Sequence, residues 1–158
     1  MQQRLLVALP DLRRFCFSLT GNVHDAEDLL QSTIEKALNN HVNDEVVLLP
    51  WLFKVARNRW YDELRYREIR THENIDDHHA VHPTSDGEEM YQQKLQHEQL
   101  NSLVSQLPEQ ERTLMYLIAK QSLSYAQTAE ILDIPVGTVM SRLSRARQKL
   151  AELLQDRE

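Results

Sequence analysis

Residues 122–149 read SLSYAQTAEILDIPVGTVMSRLSRARQK, and the architecture expected of the whole chain follows from them. Ser124 is a good helix N-cap, and Ala126, Ala129, Ile131 and Leu132 place an apolar stripe on a short helix. Asp133-Ile134-Pro135 breaks that helix, because Pro135 cannot continue it but suits the start of another. In the second helix Val136, Val139, Leu143, Ala146 and Leu150 recur at three- and four-residue steps and predict one buried face. Its charges are Arg142, Arg145, Arg147 and Lys149, with no acid among them. A solvated helix face normally mixes signs. Two short helices around a tight turn, the second with a basic outer face, describe a helix-turn-helix suited to DNA.

Composition sets the surroundings of this motif. The chain has 158 residues, 41% hydrophobic and 27% charged, which is ordinary for one globular domain or two small ones. No apolar run approaches the roughly 20 residues that span a bilayer. The opening MQQRLLVALPDLRR lacks the small-residue cleavage site of a secretory signal, so the cytoplasm is the expected compartment, without membrane insertion. Cys16 is the single cysteine; it sits among Phe15, Phe17 and Leu19 and reads as a core thiol. With three glycines and few β-branched runs, the chain is expected to be all-α.

A net charge of −6 argues against nucleic acid until the charges are placed. Between Trp51 and Arg70 stand Lys54, Arg57, Arg59, Arg65, Arg67 and Arg70 against three acids, Asp62, Glu63 and Glu68. From Glu73 to Glu98 seven acids face Lys94 alone. Two basic segments on an acidic chain carry more information than the total.

Periodicity orders the elements. A helix is expected over Asp11–Leu19, opened by Pro10 and stopped by Thr20-Gly21-Asn22, with Leu12, Phe15, Cys16 and Leu19 inward. A second begins near Asp25, with Asp25 and Asp28 in its first turn. Leu29, Leu30, Thr33, Ile34, Ala37 and Leu38 line its inner face, and Glu27, Asp28, Gln31 and Glu35 its outer one. The longest helix is expected from Trp51 to about Arg70, behind Pro50, with Trp51, Leu52, Val55, Ala56 and Leu64 apolar. Trp60 and Tyr61 fall among the arginines, an interleaving that offers rings for unpaired bases and cations for phosphates.

Thr71 to Met90 loses the rhythm and reads as a flexible acidic linker. His72, His78, His79 and His82 within it suggest a metal only weakly, because nothing there would orient the ligands. Leu95, Leu100, Leu103, Val104 and Leu107 then predict a helix, and Pro108 opens another with Leu114, Met115, Leu117 and Ile118 inward. The expected division is an N-terminal domain 1–70, a linker 71–94 and a C-terminal helix-turn-helix domain 95–158. No nucleophile–base pair, metal ligand set or glycine-rich phosphate loop supports an enzyme or a cofactor.

Four stretches in this order carry a resemblance to the extracytoplasmic-function (ECF) sigma factors, of sigma-70 type. DAEDLLQ (25–31) resembles that family's polymerase-binding helix, and WLFKVARN (51–58) its melting segment. DELR (62–65) with the arginines after it resembles the −10 segment. Leu107-Pro108, Glu111-Arg112, Ser124-Tyr125 and IPVGTVMSRLSRAR (134–147) resemble the −35-reading domain. The resemblance implies a transcription initiation factor that binds core RNA polymerase and directs it to promoter DNA, and an anti-sigma factor as a further partner.

Carried over position by position, it implies polymerase contacts by Asp25, Glu27, Asp28, Leu29, Leu30, Gln31 and Glu35. It implies contacts to the melted −10 element by Arg57, Asn58, Arg59, Trp60, Tyr61, Asp62, Arg65 and Arg67. Contacts to the −35 duplex fall to Tyr125, Val136, Thr138, Ser141, Arg142, Arg145, Arg147 and Lys149. The chain departs from the family pattern at Met140, where a lysine is common, and at Ala126-Gln127-Thr128, where acids are usual. Leu9-Pro10 to Thr20-Gly21 also resembles the sigma-like domain of regulators that sequester an anti-sigma factor, so a decoy is the alternative reading. An ordinary helix-turn-helix repressor would leave Asp25–Arg70 without a purpose.

Overall fold

The structure is a computed structural model that describes residues 1–73 and 102–156. Every regular element among them is helical, and the chain divides into two compact units, Met1–Pro83 and Thr84–Glu158. The first holds α1 (Gln2–Thr20), α2 (Val23–Asn39) and α3 (Leu48–Glu73), each packed on the other two. Their shared core is Leu12, Phe15, Cys16 and Leu19 from α1, Leu29, Leu30, Thr33 and Ala37 from α2, and Leu52, Phe53, Ala56 and Trp60 from α3. Phe15 and Phe53 pack at 4.5 Å between ring centroids, and Thr33 satisfies its buried hydroxyl on the Leu29 carbonyl at 2.8 Å. Burial, with a smaller contribution from Glu27, pushes the Cys16 thiol up to about 12, as befits an inert core residue.

Helix ends depart from expectation for local reasons. α1 starts at Gln2, not Asp11, and carries Pro10 inside it. Pro10 and Leu6, whose carbonyl loses its partner, both lie on exposed positions, and the added turns bury Leu5 and Ala8. Arg4 holds that extension in place by donating to the Val46 carbonyl at 2.6 Å and pairing with Asp44 at 3.3 Å. Gly21 stops α1 with φ 76, a left-handed conformation that suits glycine.

Asn22 caps α2 by accepting from the Asp25 N–H at 2.8 Å, so α2 begins before Asp25, and Asp28 lies beyond its first turn. α3 takes in Pro50 within its first turn, where no intrahelical N–H partner is lost, and runs past Arg70 to Glu73. Leu38 and Leu64, expected inward, are exposed at 43% and 39%. The rest of the expected linker, with His78, His79 and His82, lies outside the described residues, as do Leu95 and Leu100 of the helix expected after it; His72 is exposed on α3.

In the second unit residues 102–105 are helical, followed by α4 (Glu109–Met115), which continues as a π-helical turn over Tyr116–Lys120. α5 (Tyr125–Leu132) and α6 (Val136–Gln155) complete it, and both α4 and α5 pack on α6. Leu103, Leu107, Leu114, Leu117, Ile131, Leu132, Val139, Leu143 and Ala146 form the core. Ser124 and Gln127 build a reciprocal capping box at the start of α5: the Gln127 N–H donates to Ser124 Oγ at 3.1 Å, and Gln127 Oε1 accepts from the Ser124 N–H at 2.9 Å. Asp133 ends α5 at φ 54 and Pro135 caps α6, so the expected tight turn is Asp133–Pro135. Ala126, expected inward, is exposed; Thr128 is fully buried instead, and its hydroxyl finds no partner among the described residues.

Candidate nucleic-acid interface

α6 presents its bases unevenly. With Val139, Leu143 and Ala146 buried, the positions Thr138, Arg142, Arg145 and Lys149 recur at helical spacing along one flank. Arg147 leaves the opposite flank, on the side of the exposed Met140. Arg145 and Arg147 are exposed, and Arg142 is half-buried. Lys149 is committed elsewhere. Its Nζ lies 2.9 Å from Oε1 of Glu111, whose side chain is only 9% exposed, so the pair ties α4 to α6.

The forward part of α6 is slim and open. Ser141 Oγ donates back to the Gly137 carbonyl at 3.0 Å, and a Cβ on Gly137 would meet nothing within 4 Å. Val136 and Tyr125 are exposed at 44% and 37%, and Thr138 is half-buried. Small side chains between arginines let a helix backbone approach the floor of a major groove.

α3 sorts its bases by register. Lys54, Asn58, Tyr61 and Arg65 stand at i, i+4, i+7 and i+11, opposite the core positions Leu52, Ala56 and Trp60. Arg57 flanks this stripe with its guanidinium 4.4 Å above the Tyr61 ring and its Nη1 3.1 Å from Asn58 Oδ1. The Arg57 Nε is buried and has no hydrogen-bond partner among the described residues. Arg65 pairs with Asp62 one turn back.

Three residues expected on this surface turn away from it. Trp60 is 6% exposed and belongs to the core, because it falls one turn beyond Ala56 on the buried side. Arg59 reaches across to the Ser32 hydroxyl on α2. Arg67 forks onto Asp25 of α2 at 2.8 and 3.2 Å. Lys54, absent from the expected contacts, stands in the same exposed stripe, where its spacing to Asn58 and Tyr61 places it.

On α2 the expected polymerase surface divides in the same way. Glu27, Asp28, Gln31 and Glu35 are exposed on one face. Arg13 of α1 pairs with Glu27 at 2.8 Å, and His24 lies 3.6 Å from Asp28. Leu29 and Leu30, for which the resemblance implies polymerase contacts, are buried at 6% and 3% and hold the helix down on the core. Asp25 is occupied by Arg67, whose hydrogen bonds, helped by Asn22 and opposed by burial, hold its carboxyl below the usual carboxylate range. Among the described residues no group of His, Cys, Asp and Glu is arranged to hold a metal, and no helix is long and apolar enough to cross a membrane.

Comparison with known proteins accounts for both units. A family model described as Sigma-70 region 2 matches residues 7–69, and one described as Sigma-70, region 4 matches residues 97–150. ECF RNA polymerase sigma factor EcfG of Rhodopseudomonas palustris is 34% identical over 156 residues, covering 98% of this chain and 84% of that protein. ECF RNA polymerase sigma factor SigM of Bacillus subtilis is 33% identical over 144 residues, covering 90% and 88%. The sigma factor RpoE of Bartonella quintana, solved in complex with the anti-sigma factor NepR, has a TM-score of 0.75 and 33% identity, covering 98% of this chain and 96% of that one.

Proposed function

The chain belongs to the ECF RNA polymerase sigma factors, and from that premise we propose which of its surfaces meet which partner. It is an alternative sigma factor: a non-enzymatic initiation subunit that binds core RNA polymerase and directs it to promoters. In the proposed division of labour, the α3 stripe of Lys54, Arg57, Asn58, Tyr61 and Arg65 holds the melted −10 strand. Cations neutralise its phosphates and the Tyr61 ring, already backed by Arg57, receives a base.

The forward half of α6, with Thr138, Ser141, Arg142 and Arg145 beside Val136 and Tyr125, enters the major groove at −35. There an arginine reads guanine through a bidentate hydrogen bond. The outer face of α2, Glu27, Asp28, Gln31 and Glu35, docks on polymerase, where an acidic edge is no handicap. An anti-sigma factor is a further partner, by likeness to the complex of RpoE with NepR. The compartment is the cytoplasm, where polymerase and promoters meet.

The observation that carries this assignment is the register of α3, which places one base, one amide, one ring and one further base along a single outward line. A reconstituted run-off assay with the full chain, core polymerase and a genomic promoter library tests it. Asp28→Arg should abolish core binding and initiation, since a reversed charge at a complementary interface costs several kcal/mol. Tyr61→Ala should retain core binding and lose permanganate reactivity at the −10 thymines. A chain that bound an anti-sigma factor tightly but never core polymerase would instead be a decoy. The exposed arginines of α6 speak against that, because a decoy has no use for them.

A further inference from the structure

Two residues expected to touch two different partners touch each other instead. Asp25 stands in the first turn of α2 with its side chain 12% exposed, and Arg67 stands near the far end of α3. Arg67 Nη2 donates to Asp25 Oδ1 at 2.8 Å and Nη1 to Oδ2 at 3.2 Å, while its Nε donates to Glu63 at 3.0 Å. The guanidinium carbon also lies 5.2 Å from the centroid of the Trp60 ring. Asn22, the N-cap of α2, donates to the same carboxylate at 2.7 Å. Every nitrogen of the guanidinium is thus engaged within the protein.

The position of this fork gives it a task. Trp60 is the last buried residue of α3, and none of the described side chains after it reaches the core. The distal half of α3 carries Arg65 outward but has no apolar packing to fix its direction. The fork spans 42 residues of sequence and fastens that half to the capped end of α2. Its charge is also wrong for a DNA contact. One base stands between two acids, so the cluster is net negative and repels a phosphate.

We propose that Arg67 is a positioning residue, which with Asp25 locks the distal half of α3, and with it the Arg65 end of the strand-holding stripe, onto the polymerase-docking helix so that docking and strand capture share one rigid frame. This rests on the reading of the α3 stripe as the strand-binding surface. Neither Asp25 nor Arg67 then contacts polymerase or DNA. The depressed carboxyl of Asp25 agrees with a fork that persists at neutral pH.

The test uses holoenzyme reconstituted from core polymerase and the full chain, with a forked promoter fragment drawn from an active run-off template. Arg67→Gln and Asp25→Asn should each weaken fork binding about tenfold, and the double variant little more than either, because both remove one shared interaction. Core affinity should stay within about twofold, and the slope of log affinity against log salt should not change, since no phosphate contact is lost. Arg67→Lys, which keeps the charge but not the fork, should recover only a small part of the loss, whereas a lysine would largely replace a phosphate ligand; unchanged helical circular dichroism of both variants guards against misfolding.

A slope reduced by about one unit in Arg67→Gln, with Asp25→Asn harmless, would make Arg67 a phosphate ligand and overturn the proposal. So would Asp25→Asn weakening core affinity more than fork affinity. Tyr61→Ala together with Arg65→Gln at wild-type fork affinity would instead remove the strand-surface reading beneath it, a separate failure.

Discussion

α3 and α6 are both basic amphipathic helices, yet they use their charges in opposite proportions. On α6 Lys149 is the one base spent on an internal pair among the described residues, and Arg142, Arg145 and Arg147 remain on its outer flanks. On α3 Arg59 and Arg67 are spent on side chains of α2, while Arg57 and Arg65 lie against their own helix. The difference follows from the packing around each helix. α6 rests on a compact core along its forward half and needs little help from charge. α3 outruns its core after Trp60 and is held by ion pairs and ring contacts instead. A cluster of bases therefore reports a surface for nucleic acid only after the bases that act as fasteners have been removed from it.

The adjacent aromatics of α3 offer the largest test of this contrast. Trp60→Ala should destabilise the N-terminal unit by about 3–5 kcal/mol in urea denaturation, because it empties a filled site in the core. Tyr61→Ala, at a half-buried position, should cost about 1 kcal/mol or less while removing strand opening. Equal losses of stability would erase the distinction between the two rings.

Lys149 and Arg145 form the matching pair on α6. Lys149→Met strands the nearly buried Glu111 and should cost about 2 kcal/mol of stability in the C-terminal unit. Where the variant is folded, its −35 affinity should match wild type. Arg145→Ala should do the reverse, with stability within about 0.5 kcal/mol of wild type and about 1–3 kcal/mol lost in binding a −35 duplex. Thermal melts and duplex titrations of both variants decide it.

A smaller effect is expected at Thr128, whose fully buried hydroxyl lacks a partner among the described residues. Thr128→Val keeps the shape and removes the unsatisfied group, so it should stabilise the C-terminal unit by about 1 kcal/mol, read from its denaturation midpoint. A loss of stability would mean that the hydroxyl is bonded in solution.

The smallest concerns pH. The Asp25 carboxyl is held below its ordinary value of 3.8, chiefly by Arg67, so its contribution is present above that value and lost as pH falls through the folded one. Asp25→Asn should flatten the acid limb of the stability curve below about pH 5, by 1 kcal/mol or less given that Arg67 is 42% exposed. Parallel acid limbs would show that the fork adds nothing to folding.

Much of this protein was legible in its residues. Period 3.6 placed the second and third helices and both members of the helix-turn-helix, because an apolar stripe at that spacing can be buried in one way only. Ser124 and Pro135 marked the turn through local chemistry that needs no tertiary partner. Family membership was legible too, since four motifs in fixed order require no coordinates. The length of α1 was not, because proline normally opens a helix, and only the burial of Leu5 and Ala8 together with the Arg4 clamp carries one through Pro10. Nor was the fate of individual charges. Asp25 and Arg67, or Glu111 and Lys149, lie about 40 positions apart, and nothing local distinguishes a base that awaits a phosphate from one that already holds a carboxylate. Residue type and helical spacing fix the face on which a side chain stands; only the packing of helix on helix decides whether a partner is already there to meet it.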